Sequence, residues 1–547
     1  MIRNHKYGGV TAAEVRKIYC ASILVVASNS RVCSKIAAVR TALEMKVLPK
    51  LRSLESILQP INRLPKDILI LVPRFFTNEY WEHEKFPMNK PLITMTHVCR
   101  SWRNLLLSTP SLWTQIDFST RKSKQAEGFL GRSSGQFLDI HQFFESEDGT
   151  EPFLSTTLAN THRLRQLMIG SSIHRLERVL VQFTGPAPEL KYLEIANDSN
   201  ITNKDVKLPS TIFGGQLPKL VGLSLHYIRT DLRGFNFPSL TRFSFTTGTM
   251  TSIGNLISFF EGCPVLEFIQ ICLSYMPQPP VTPPRKRVRL VALKELRFDL
   301  TACTSGLLDH LILPSCTEML LKGQFINKEL DDCGNPAARI HPSSIDHLAV
   351  MRGITKAVAM PHSCILSGPN GNLRIWCFQE NRNNFDAEFF TSFAPISISG
   401  IKELWVGSTT ESYFGRIPWK QSAAGVRGAF EVLTKVEDLT IVSCETEPIF
   451  TTLDVKIGNT ALLPGLRRLT IYVGCGDLDI PALVKSTKAR KEHSRPLGEV
   501  AIVFENEPGA NVVQELEPLR ELVEELDYRV DVTPVLRQWE SREDDVW

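Results

Sequence analysis

The chain has 547 residues, 43% of them hydrophobic and 22% charged, with a formal net charge of +4. This is ordinary globular composition for several domains or one long repeat array, and so small an excess of cations does not call for a nucleic-acid partner. No apolar run reaches the length of a membrane span, so no membrane partner is expected, and the 12 scattered cysteines contain neither a C-x-x-C pair nor a histidine at zinc spacing.

Charge is uneven along the chain. Residues 1–60 hold ten Lys/Arg against three Asp/Glu, and residues 501–547 hold four against thirteen. Both blocks read first as solvated faces. "IYCASILVVAS" (18–28) has the look of a signal-peptide core, but it is short and lies well inside the chain start. Scattered thiols point to a reduced, intracellular protein, cytoplasmic and/or nuclear. From 31 to 58, Val32, Ile36, Val39, Leu43, Leu48, Leu51, Leu54 and Leu58 suggest an amphipathic helix interrupted near Pro49.

Residues 61–118 form a helical block. A first helix begins at "LPKDILILV", where Pro65 suits the first turn because its missing N–H would be unpaired there anyway. In "LITMTHVCRSWRNLLLSTPSLW" (92–113), Leu92, Met95, Val98, Cys99, Trp102, Leu105 and Leu106 recur at three- and four-residue steps, the stripe of one amphipathic helix. That helix should stop at "STP", where Ser108 and Thr109 bond locally and Pro110 cannot continue the ladder.

Beyond residue 130 a pattern L-x-x-L-x-I returns: "LRQLMI" (164–169), "LKYLEI" (190–195), "LVGLSL" (220–225), "LTRFSF" (240–245), "LEFIQI" (266–271) and "LKELRF" (293–298). Further copies are "IDHLAV" (345–350), "IKELWV" (401–406), "VEDLTI" (436–441), "LRRLTI" (466–471) and "LGEVAI" (497–502), with weak forms at 316–321 and 370–375. A period of twenty to thirty residues with this spacing is the mark of a leucine-rich β/α solenoid, each turn burying its aliphatic edge only against its neighbours. Helices are expected between strands at 172–183, 251–263 and 423–433, and near the end at 516–530. "PQPPVTPPRKRVRL" (277–290) reads as an exposed loop with a short basic cluster, and "SGPNGN" (367–372) as a turn. No phosphate-binding loop, zinc-protease, EF-hand or nucleophile-elbow motif appears, so a non-catalytic role without cofactor or metal is expected.

The ordered residues Leu64, Pro65, Ile68, Leu69, Val98, Cys99, Arg100, Trp102, Leu112 and Trp113 resemble an F-box. Together with the array they are similar to F-box/leucine-rich-repeat proteins of the fungal kind. The spacer "PRFFTNEYWEHEKFPMNKP" (73–91) departs from the compact motif in being longer and more aromatic; it either loops out or disturbs docking. The resemblance implies a basic N-terminal region (1–60), an F-box (61–118), a leucine-rich-repeat domain (130–530) and an acidic tail (531–547). It implies docking on a Skp-type adaptor, and through it a cullin, by Leu64, Pro65, Ile68, Leu69, Val98, Cys99, Trp102, Leu112 and Trp113. Several of these must serve as packing, and for Trp113 core is the better reading than contact. A protein substrate of unknown identity would sit on residues flanking the inward aliphatics, among which Arg297, Arg374, Trp376 and Trp405 are chosen because arginine and aromatics favour binding centres. A diverged F-box serving a ligase-independent scaffold is the alternative.

Overall fold

The computed structural model describes residues 30–48, 50, 64–79, 89–118, 123–143, 150–197, 206–209, 211–230, 232, 234–247, 253–273, 287–300, 305–324, 347–360, 363–378, 398–407, 423–442, 446–454, 456–457, 460–473 and 478–531. The segment 18–28, most of the proline-rich stretch 277–290 and nearly all of the acidic tail lie outside these. The chain forms mixed α/β structure with a large, mostly parallel sheet, in two compact units. One comprises residues 1–117 and 124–136, the other 118–123 and 137–547.

The smaller unit is helical. It contains α1 (Ser30–Ala42), α2 (Lys66–Glu79), α3 (Asn89–Met95), α4 (Arg100–Leu107) and α5 (Ser123–Ser133). Pro65 stands just ahead of α2 rather than in its first turn, its carbonyl accepting the Leu69 N–H at 3.1 Å. Of the spacer 73–91, residues 73–79 belong to α2, which runs through Pro73 to Glu79, and 89–91 to α3. The single stripe expected over 92–113 is two helices. Cys99 is extended (φ −155°, ψ 171°) and its sulfur accepts the Trp102 N–H, so it caps α4 instead of lying inside a helix. Thr96 bonds back to the Ile93 carbonyl at 2.6 Å and takes Arg103 Nε on its own carbonyl at 2.9 Å, which satisfies the broken turn. The stop at "STP" is as expected: Ser108 and Thr109 hydroxyls donate to the Leu105 carbonyl and Pro110 opens a 3-10 turn.

Among the described residues the main sheet of the larger unit has sixteen strands: β1 (Leu138–Phe143), β2 (Leu164–Ser171), β3 (Tyr192–Asn197), β4 (Gly222–His226), β5 (Arg242–Thr247), β6 (Phe268–Leu273), β7 (Glu295–Leu300), β8 (Glu318–Gln324), β9 (Lys356–Ala359), β10 (Ser363–Gly368), β11 (Gly371–Phe378), β12 (Glu403–Gly407), β13 (Asp438–Val442), β14 (Arg468–Val473), β15 (Glu499–Phe504) and β16 (Glu525–Val530). Strands β1 to β8 pair in parallel, each with its successor, and so do β12 to β16. Parallel neighbours need a crossover, and helices supply several. They include α6 (Thr150–Ala159), α7 (Ile173–Leu180), α8 (Ile253–Glu261) and α9 (Ser305–Asp309), then α10 (Ala423–Val432), α11 (Glu447–Leu453), α12 (Ile480–Glu492) and α13 (Ala510–Leu516).

Every copy of the short pattern coincides with a strand except one. "IDHLAV" (345–350) gives a single bridge at Leu348 and a 3-10 turn. Leu348, Ala349 and Val350 are still buried, so composition matched there where backbone pairing did not. The sheet is instead continued by a meander. Strand β11 pairs in parallel with β8, β10 runs antiparallel between β11 and β9, and β9 pairs in parallel with β12. "SGPNGN" is the two-residue turn joining β10 to β11. The helix expected over 516–530 is also corrected: α13 and a 3-10 turn end at Glu521, and 525–530 is the last strand among the described residues. Val523, Leu526 and Tyr528 are a further copy of the same spacing, masked in the sequence by helix-favouring acids.

The core follows the register. Leu167, Leu193, Leu223, Phe243, Ile269, Leu296, Met319 and Leu373 align across neighbouring strands, and all are at most 5% exposed. Beneath them Phe118, Phe153, Phe183 and Phe213 stack in sequence with ring centroids 5.1–6.3 Å apart. Asn197, at the head of a glycosylation sequon, is buried in β3 and donates to the Tyr227 carbonyl, so it is a packing residue. In α12 the buried Arg490 donates to the carbonyls of Leu462 and Leu463 at 3.0 Å, and burial lowers its pKa to about 10.

Candidate functional site

Two surfaces hold the residues singled out from the sequence, one in each unit. In the helical unit the structure divides them. Leu69, Trp102, Leu112 and Trp113 are buried, and Trp113 is core: its indole donates to the Leu106 carbonyl at 2.8 Å and its ring meets Phe129 edge-on at 4.7 Å. Leu64, Pro65, Ile68 and Val98 are exposed and Cys99 is half-buried. Leu64 and Ile68 are 41% and 44% exposed, Leu71 52% and Val98 61%. Ile68 and Leu71, three residues apart, share one face of α2, and Leu64 lies just ahead of that helix. The unit thus buries one set of its large apolar side chains and leaves these aliphatics in water. Leu71 was not among the residues expected from the sequence, although its spacing from Ile68 gave the signal.

In the sheet unit, residues alternate between a buried set and a second face. Arg297, Arg374, Trp376 and Trp405 all fall on that second face. Arg297 and Arg374 flank Leu320 in one row, and the row continues through Ile365 and Val358 to Trp405. Arg297 and Trp405 are five strands apart, roughly 24 Å. Trp376 lies one step along β11, between Lys322 and Ser363. The four are thus on one surface but do not form one cluster.

Their surroundings differ. Arg297 pairs with Glu295 at 2.5 Å and lies 5.4 Å from the Phe268 ring centre, while Arg242 lies 4.9 Å from the same ring. Phe268 is thereby flanked by two guanidiniums, a cation–aromatic arrangement not foreseen from the sequence. Trp405 is held firmly. Its indole donates to Glu403 at 2.6 Å, Lys356 bonds the same carboxylate oxygen at 2.8 Å, and the Lys356 ammonium sits 4.5 Å from the indole ring centre. Trp405 also packs against Val358, Ile365 and Val442. Arg374 is half-buried with no carboxylate partner among the described residues.

The titratable groups on this face respond to burial. Desolvation raises the Glu194 carboxyl to about 7, so near neutrality it is partly a hydrogen-bond donor. His141 is lowered by burial to about 4, and His226, bonded to Ser224 at 2.8 Å, is also lowered by burial. Burial, with Asp299 nearby, raises Cys272 to about 11, which makes it a poor nucleophile. Among the described residues no group of three or more His, Cys, Asp or Glu is placed to hold a metal ion. No protein-family model matches the chain, and a search of curated proteins finds no match.

Proposed function

We propose that this chain is a substrate-recognition subunit of a Skp-cullin-F-box ubiquitin ligase, with residues 61–118 as the F-box and the sheet unit as a leucine-rich-repeat solenoid. The observation that carries the reading is the division inside the helical unit: one part of the motif is filled core, and Leu64, Pro65, Ile68, Leu71 and Val98 are left in water. Desolvating such aliphatics against an adaptor supplies the interface energy. The repeating pattern and the parallel, successor-to-successor pairing of most strands support the solenoid reading. The polar half of the sheet's second face, with Arg242, Phe268, Arg297, Arg374 and Trp376, is the proposed seat of a protein substrate, and Trp405 borders it.

The test is capture of a Skp-type adaptor by the full chain beside an Ile68→Asp/Val98→Asp variant. Wild type should retain adaptor, and the variant should lose it while unfolding at the same temperature, because both side chains are exposed. Retention by the variant would reject this docking face. A second reading, a ligase-independent scaffold, is favoured by one observation: α2 runs through Pro73 to Glu79, longer than the compact motif requires. Wild type that never binds adaptor would establish it.

A further inference from the structure

The N-terminal helix has no place in the reading above. Leu43–Val47 continues α1 as a π turn, closed by the Leu48 N–H on the Leu43 carbonyl. Val39, Leu43, Met45, Val47 and Leu48 are 43–72% exposed, five large apolar side chains within ten residues, and from 34 to 48 every described side chain is exposed except the half-exposed Ile36. The π turn has a consequence. In an uninterrupted α-helix Leu48 would point well away from Leu43, but an i→i+5 turn returns it to the same side. Ile36, Val39, Leu43, Val47 and Leu48 then form one stripe.

Charge selects what covers that stripe. Lys35, Arg40, Lys46 and Lys50 accompany it with one acid, Glu44, which is itself tied to Arg40 at 2.9 Å. Long cationic side chains beside an exposed aliphatic stripe can bury their stems and keep their charge at a polar boundary. No described helix is long and apolar enough to cross a membrane, so the geometry is that of a helix lying on a surface. We propose that residues 30–50 bind the surface of an anionic phospholipid bilayer, with the stripe in the headgroup boundary and the lysines toward the lipid phosphates.

The test is flotation of the full chain with phosphatidylcholine vesicles and with vesicles containing about one third phosphatidylserine. Preference for the anionic vesicles should be at least tenfold and should weaken with salt, since such attraction is screened beyond about 8–10 Å. Lys35→Glu/Lys46→Glu should cut binding by about 25-fold or more, at about fivefold for each cation near an anionic surface. Leu43→Asp/Leu48→Asp should abolish it with the lysines intact. Both variants alter only exposed side chains, and an unchanged melting temperature checks this. Equal partitioning to both vesicle types, no partitioning, or binding that survives charge reversal would overturn the proposal. Adaptor capture is read separately, so neither result decides the other.

Discussion

The two halves of the sheet share one inward pattern and differ on the other side. From β3 to β7 the central row of the second face reads Glu194, Ser224, Ser244, Gln270 and Arg297, all half-buried. In the meander the same row reads Ile365 and Val358, past it Trp405 and Thr440, and Val442 joins them one step along β13; Val358, Ile365, Thr440 and Val442 are at most 8% exposed. The inward aliphatics dictate that a strand forms. The residues between them decide whether its second face stays open to a partner or closes as a second core. The meander β9–β11 is where one regime gives way to the other.

The strongest way to break this boundary is at Gly371. Its φ is +127°, and a Cβ there would sit 2.0 Å from the Thr317 carbonyl oxygen, the same oxygen that accepts the Asn372 N–H where β11 joins β8. Gly371→Ala should cost about 4 kcal/mol in denaturant unfolding, combining strain with loss of that junction. Next comes the contrast itself. Ile365→Ala removes a side chain 3% exposed and should cost about 3 kcal/mol. Ser244→Ala, on the same row of the open half, should stay within about 0.5 kcal/mol. Equal costs would mean that the open half is closed as well.

The boundary was only partly legible in the sequence. Ten of the eleven clear copies of L-x-x-L-x-I mark strands because inward burial demands aliphatics at fixed positions, a local constraint. The meander was not foreseen, since whether β9 or β11 continues the ladder depends on main-chain partners far apart in the chain. Trp102 and Trp113 look alike as motif residues beside Val98, yet the tryptophans are core and Val98 is exposed. Only the break at Cys99 separates them, and periodicity runs straight across it. For the sheet face, alternation identified which residues share a surface, but Phe268 between Arg242 and Arg297 needed the register.

A pH experiment sharpens the comparison at the open end. The raised Glu194 pKa means the folded chain holds a proton that the unfolded chain releases between about pH 4.5 and 7. This contribution favours folding at pH 4.5 and is lost as pH rises through 7. His141 works oppositely, because its lowered folded value makes the unfolded chain bind a proton first below pH 6.5, so stability falls from there toward pH 4. The two slopes oppose one another across the shared window. Glu194→Gln should therefore raise stability by about 2 kcal/mol at pH 8, leave it nearly unchanged at pH 4.5, and uncover the His141 slope between. A variant with the same pH profile as wild type would place Glu194 in water.

The smallest effect on stability belongs to the residue most useful for function. Arg374 lies between Leu320 and Ile365, at the junction of the open and closed halves, and among the described residues it has no carboxylate to leave stranded. Removing one member of a buried ion pair is costly because the other is left uncompensated, and that cost does not arise here. Arg374→Ala should shift stability by no more than about 0.5–1 kcal/mol, the loss of its aliphatic stem. Lys356→Ala, in the closed half, removes one partner of Glu403 and the cation over Trp405, and should cost somewhat more. If Arg374→Ala proves the more damaging of the two in thermal unfolding, its guanidinium is part of the architecture and the substrate seat moves toward Arg242 and Phe268. If it is the milder, the guanidinium is dispensable to the fold and Arg374 keeps its place in the proposed substrate seat.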